Sequence, residues 1–159
     1  MAVNGDFERA RYMAYRLLSV RPHSEHELAV KLRRKGLDAE VIVEVIGMLR
    51  EYGMIDDADY AGGYIRRRIN RKPVGRALIV QELKQKGIAG DIIESQITGI
   101  DPETEYKTAL ALARKKMDGQ GGEFAYPRIA SFLWRRGFDG ETIARVCRRL
   151  EDGETLDSP

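Results

Sequence analysis

Three glycines, each directly preceded by a basic residue, recur at nearly equal intervals: Gly36 in LRRKGL, Gly87 in LKQKGI and Gly137 in LWRRGF, 51 and 50 residues apart. A fixed period of this length marks stacked supersecondary units. The register around each glycine is apolar at the same offsets. Eight residues before it stand Leu28, Ile79 and Ile129; four before it, Leu32, Leu83 and Leu133; one after it, Leu37, Ile88 and Phe138. Six after it stand Ile42, Ile93 and Ile143; ten after it, Ile46, Ile97 and Cys147; thirteen after it, Leu49, Ile100 and Leu150. Spacings of three and four are the helical period, so each unit carries two amphipathic helices that meet at its glycine. The run VIVEVI (41–46) is β-branched enough to suit a strand. Its counterparts DIIESQI and ETIARVC keep the offsets without that character, so the shared register selects a helix in all three.

A further helix precedes each pair. Its inner side is expected to carry Tyr12, Tyr15 and Leu17 or Leu18 in the first unit, Tyr60, Tyr64 and Ile69 in the second, and Tyr106, Leu110, Ala113 and Met117 in the third. Helix starts are marked by Ser24 with Glu27 as a capping box, by Asp56 with Asp59, and by Asp101 followed by Pro102. The three glycines are expected to close helices in a left-handed turn, with Asp38 capping the next helix. The predicted fold is all-α: three tandem three-helix repeats forming an elongated, curved body, at 7–53, 54–100 and 101–152. Residues 118–127 are the longest expected loop, and residues 153–159 an acidic, proline-ended tail expected to be disordered.

Such a body exposes much surface, which suits a chain of 159 residues with 33% charged and 43% hydrophobic side chains. The net charge is only +2, so the local clustering of cations matters more than any global field. A single cysteine excludes an internal disulfide and fits a reducing cytoplasm. The N-terminal residues carry no apolar signal core, and no apolar run approaches the roughly 18 residues that span a bilayer. A cytoplasmic protein without membrane association is expected.

Reactive constellations are sparse. His23 and His26 are expected as solvated helix-start residues, with no third ligand to complete a metal site. Cys147 shares the offset of Ile46 and Ile97, which implies a buried, inert thiol. GQGG lacks the lysine and hydroxyl of a phosphate loop. The expectation is no enzyme, no catalytic residue, no metal and no cofactor.

Basic clusters are the remaining candidates for function. In RRRINRKPVGR, Arg66, Arg67, Arg68, Arg71, Lys72 and Arg76 occur with no acid among them. Cations in a last helical turn complement the helix dipole and can be merely solvated, but six in eleven exceeds that need, so a surface for phosphates or an acidic protein groove is favoured. Lys31, Arg33, Arg34 and Lys35, then Lys84 and Lys86, then Arg135 and Arg136 precede the repeat glycines. For these, dipole complementation and partner contact are equally supported. Trp134 stands where the other units have Arg33 and Lys84, off the apolar register. Packing across the 118–127 loop is the favoured expectation, and an exposed stacking or docking aromatic is the alternative.

The chain resembles the RecX family, bacterial regulators of the RecA recombinase, in RPHSEHELAVKLRRKGL, YGMIDDADYA, KPVGRALIVQELKQKGI and IASFLWRRGFDGETI, in that order from about residue 10 to 150. The resemblance implies three tandem three-helix modules and a non-enzymatic protein that binds the RecA filament on single-stranded DNA. It implies lodging in the filament groove or blocking the growing end, with suppression of ATP hydrolysis, strand exchange and the coprotease activity that triggers the SOS response. It carries over no catalytic residue. A stand-alone helical DNA-binding protein, acting through phosphate contacts, is the alternative; a monomer is expected in either case.

Overall fold

The structure is a computed structural model and describes residues 2–122 and 125–156. Residues 123 and 124 of the expected loop, and 157–159 of the expected tail, lie outside the described residues. The described residues form helices and no strands: α1 (Ala2–Val20), α2 (Glu25–Arg34), α3 (Ala39–Glu51), α4 (Asp57–Arg71), α5 (Arg76–Gln85), α6 (Gly90–Ile97), α7 (Pro102–Asp118), α8 (Tyr126–Arg135) and α9 (Gly140–Leu156). The all-α expectation holds, including the helix over VIVEVI, and α9 continues into residues 153–156 of the stretch expected as a tail. No described helix is long and apolar enough to cross a membrane.

Two compact units can be distinguished. Unit 1 comprises the described residues up to Tyr64 together with Leu83–Glu94; unit 2 comprises Ile65–Glu82 together with the described residues from Ser95 onward. The division falls inside α4, α5 and α6, so the middle triplet contributes to both.

In unit 1, α1, α2 and α3 pack around Leu28, Leu32, Val45 and Leu49, all without solvent contact. Fully burying each such side chain is worth about 1.5–3 kcal/mol. In unit 2, α7, α8 and α9 do the same around Ala113, Ile129, Leu133, Val146 and Cys147. Of the eighteen repeat positions all but Ile97 are buried. Cys147 is buried and unpaired, and burial pushes its thiol pKa up. It is the inert core residue expected.

The inner face of α1 departs from expectation. Ala10 and Ala14 are its fully buried residues, flanked by partly buried Phe7, Leu17 and Leu18, whereas Tyr12 is 63% and Tyr15 38% exposed. Small alanines let α1 approach α2 and α3 closely, while the two phenols turn their polar ends to water.

Gly36, Gly87 and Gly137 have φ of 82°, 75° and 83°, the left-handed conformation that favours glycine. Behind them the amides of Ile88 and Phe138 donate to the Leu83 and Leu133 carbonyls, at 3.2 Å in both turns. Asp38 occupies the N-cap position of α3, but its side chain makes no capping bond. Ser24, Asp56 and Asp101 cap as expected.

Each of the later two glycines also receives the start of a helix. In unit 1, Ser24 Oγ donates to the Lys86 carbonyl (2.6 Å) and the amide of Glu25 donates to Asp57 Oδ1 (2.9 Å). In unit 2, the amides of Gly75 and Ala77 donate to the Arg136 and Gly137 carbonyls (2.8 and 3.1 Å), and that of Arg76 to Glu105 Oε1 (2.8 Å). The same joint is thus built twice: the start of one helix sits on the carbonyl end of another and is capped by a third helix's carboxylate.

Candidate interaction surface

The basic stretch 66–76 begins in the second half of α4. That helix buries Ala61 and Ile65, so helical geometry turns Arg66 and Arg67 to the opposite, exposed side. Pro73 follows the end of the helix, where continuation would lack an amide donor. Arg71 and Lys72 are exposed at that end.

Two members of the stretch have internal work. Arg68 Nε and Nη2 lie 3.0 Å from the Glu82 carboxylate, and Nη1 donates to the Lys72 carbonyl. Arg76 Nε donates to Glu105 Oε2 at 2.6 Å, and Glu105 is only 4% exposed. Among the described residues no ion pair holds Arg66, Arg67, Arg71 or Lys72. Four of the six therefore face solvent with their charge uncompensated.

Tertiary structure joins this stretch to a distant one. Within unit 2, Arg68, Lys72, Val74 and Leu78 line a groove of about 430 Å³ with Phe132, Arg135 and Arg136 of the α8 end. The Arg136 guanidinium and the Lys116 ammonium lie 5.0 and 5.5 Å from the centre of the Phe132 ring. Such cation–π contacts are worth about 0.5–1 kcal/mol each at exposed sites; they hold the groove-lining Arg136 and bring one further cation, Lys116, beside the groove. Phe132 lies one residue before Leu133 of the shared apolar register, where the other units have Lys31 and Glu82, so the repeat register gives no signal for it. Trp134 is 67% exposed. The expected packing of this indole across the 118–127 loop is therefore corrected: it projects from α8 beside Arg135.

The cations of unit 1 divide in the same way. Lys86 Nζ bonds Glu27 Oε1 (3.1 Å) and lies 5.2 Å from the Tyr64 ring centre. Burial alone would raise the Glu27 pKa, but hydrogen bonds from Arg21 and Lys86 outweigh it and hold it at about 2. Tyr60, buried, donates its hydroxyl to Glu27 Oε2 (3.2 Å). Lys31 Nζ lies 2.8 Å from His23 Nε2, whose Nδ1 lies 2.9 Å from the Arg21 carbonyl. His23 is 3% exposed, which corrects the solvated position expected for it; His26 is exposed. Because an ammonium can only donate, Nε2 must accept and Nδ1 must carry the proton, so the ring is neutral. Burial is the main cause that pushes its pKa below 6.5. Lys84, Arg33, Arg34, Lys35 and Arg135 are exposed.

Two family models match the chain: RecX, first three-helix domain, at residues 10–49, and RecX, second three-helix domain, at residues 56–95. The regulatory protein RecX of Chlorobaculum tepidum is 35% identical over 145 residues, 91% of this chain and 90% of that protein. That of Prosthecochloris aestuarii is 33% identical over 149 residues, covering 92% and 97%. The crystal structure of RecX from Lactobacillus salivarius shares the fold, with a TM-score of 0.86 over 93% of this chain and 98% of that one at 24% identity. A second RecX crystal structure gives 0.83 over 91% and 73% at 26% identity. With its first two triplets matched and these two relatives aligned nearly end to end, the chain belongs to the RecX family, which is one of regulatory proteins and not of enzymes.

Proposed function

We propose that this chain modulates the RecA recombinase, mainly negatively, by binding the RecA filament on single-stranded DNA as a monomer in the cytoplasm. Binding suppresses the filament's ATPase, strand exchange and coprotease activity. The observation that carries the reading is the charge arrangement of unit 2 in a RecX-family chain. Arg66, Arg67, Arg71 and Lys72 are exposed and uncompensated, and Lys72 shares a groove with Arg135 and Arg136. A filament presents both acidic protein surface and DNA phosphates, and uncompensated cations serve either. Arg68 and Arg76 hold the surface in place through Glu82 and Glu105. Lys84, Arg33, Arg34 and Lys35 supply a second set of exposed cations, with Lys31 and Lys86 anchored beside them.

The test is RecA's DNA-dependent ATPase with the purified chain added below stoichiometry. Inhibition is expected. It should weaken at least about ten-fold when Arg66, Arg67, Arg71 and Lys72 are all replaced by alanine, with helical content unchanged. No inhibition by the unmodified chain even in excess would refute the reading.

One observation favours a second reading, direct DNA binding without RecA: the Trp134 indole is exposed on α8, and exposed aromatic rings can stack single-stranded bases. Such binding should fall steeply with salt. Absence of DNA binding at low salt rejects it.

A further inference from the structure

The outward side of α1 carries a feature that packing in unit 1 does not explain. Beyond the alanine stripe that packs inward, Tyr12, Arg16 and Val20 recur four residues apart, and Val20 is 82% exposed. Within unit 1 this side of α1 and the last turn of α2 enclose a groove of about 670 Å³. Its apolar lining is Met13 and Leu17, both half-buried, with exposed Val20 at one edge. Its rim is cationic: Arg16, Lys31, Arg34 and Lys35, with no carboxylate among the lining residues.

An apolar lining ringed by four like charges is costly in isolation and is relieved by a ligand that brings both apolar surface and negative charge. The Lys31 ammonium is held in place by His23 Nε2 at 2.8 Å, so one rim charge is fixed before anything binds. A nucleic acid would supply the charge. However, the only aromatic ring in the lining, Tyr12, already has the Arg16 guanidinium 6.0 Å from its centre, so a stacking base would have to displace it. The apolar lining, moreover, offers nothing to a phosphate backbone. An acidic peptide with a bulky apolar side chain satisfies both parts.

We propose that the groove between α1 and the end of α2 docks an acidic peptide segment of a partner protein. Its carboxylates meet Arg16, Lys31, Arg34 and Lys35, and one large apolar side chain rests on Met13, Leu17 and Val20. The proposal deepens the RecA reading, in which Lys31, Arg34 and Lys35 already belong to the second cation set; because its test contains no RecA, the two readings fail separately.

The test is fluorescence anisotropy on the full chain with three labelled probes: a run of glutamates flanking one phenylalanine, the same peptide with serine in place of phenylalanine, and an oligothymidylate of equal charge. The phenylalanine peptide should bind most tightly. Val20→Glu and Arg34→Glu, both at exposed positions, should each weaken it roughly ten-fold while the circular dichroism and melting temperature stay the same. Equal affinity for the two peptides, tighter binding of the oligothymidylate, insensitivity to both substitutions, or no binding of the phenylalanine peptide would each overturn the proposal.

Discussion

Gly137 lies so close to Leu78 that a β-carbon on the glycine would sit 2.5 Å from both the backbone nitrogen and the β-carbon of Leu78. Gly87 stands in the same relation to His26, whose β-carbon would be 2.3 Å away, whereas nothing lies within 4 Å of a β-carbon at Gly36. The three glycines share one turn conformation, but only two of them accept the start of another helix.

Alanine substitution should separate these two demands. Gly36→Ala meets only the left-handed backbone and should cost roughly 1–2 kcal/mol. Gly87→Ala and Gly137→Ala add overpacking, typically 1–3 kcal/mol more. Thermal or urea unfolding of the three variants checks this, and equal losses at all three positions would show that the close approach does not matter.

Glu105 and Glu103 sit two residues apart on α7 in opposite circumstances. Glu105 is buried and accepts both the amide and Nε of Arg76, while Glu103 and Arg145 form an exposed pair at 2.8 Å. Removing Glu105 leaves a helix-start amide and a partly buried guanidinium without their acceptor. Glu105→Ala is expected to cost about 3 kcal/mol, against less than about 1 kcal/mol for Glu103→Ala. Denaturant midpoints compared at one pH decide the ranking.

Acid should act on unit 1 in two steps. The His23 pKa is depressed in the fold, so its stabilising contribution is complete above pH 6.5 and is lost as pH falls through the lowered value. Glu27 is also depressed, from 4.5 to about 2, so its contribution is complete above pH 4.5 and is lost as pH falls toward 2. Asp57, raised above 3.8 mainly by burial, works in the opposite sense just above that pH. Melting temperature against pH should show a first decline below pH 6.5 that His23→Gln removes, and a later one that Glu27→Gln removes. If His23→Gln leaves the first decline intact, that histidine is not its source.

The repeat made the helices legible because it is a local, periodic signal: an apolar side chain every three or four residues can be buried only on one side of a helix. That is why Leu28, Ile79 and Ile129 end in equivalent places although their neighbours differ. The left-handed turns at Gly36, Gly87 and Gly137 also left a trace, but that only the latter two receive the start of another helix did not. Individual side chains at the surface left none. Nothing near His23 in the sequence announces that Lys31 and the Arg21 carbonyl will satisfy both ring nitrogens and allow its burial.

The sequence by itself determined the number and period of the helices, the turns between them and most of the core, because these follow from backbone geometry and the alternation of apolar and polar residues. Tertiary structure alone decided which cations are available for binding. Arg68 and Arg76 are neighbours of Arg67 and Arg71 in the same basic run, yet they are paired because folding carries Glu82 and Glu105 to them, 14 and 29 residues away in the chain. Charge compensation depends on distance in space, and a linear chain does not encode that distance locally.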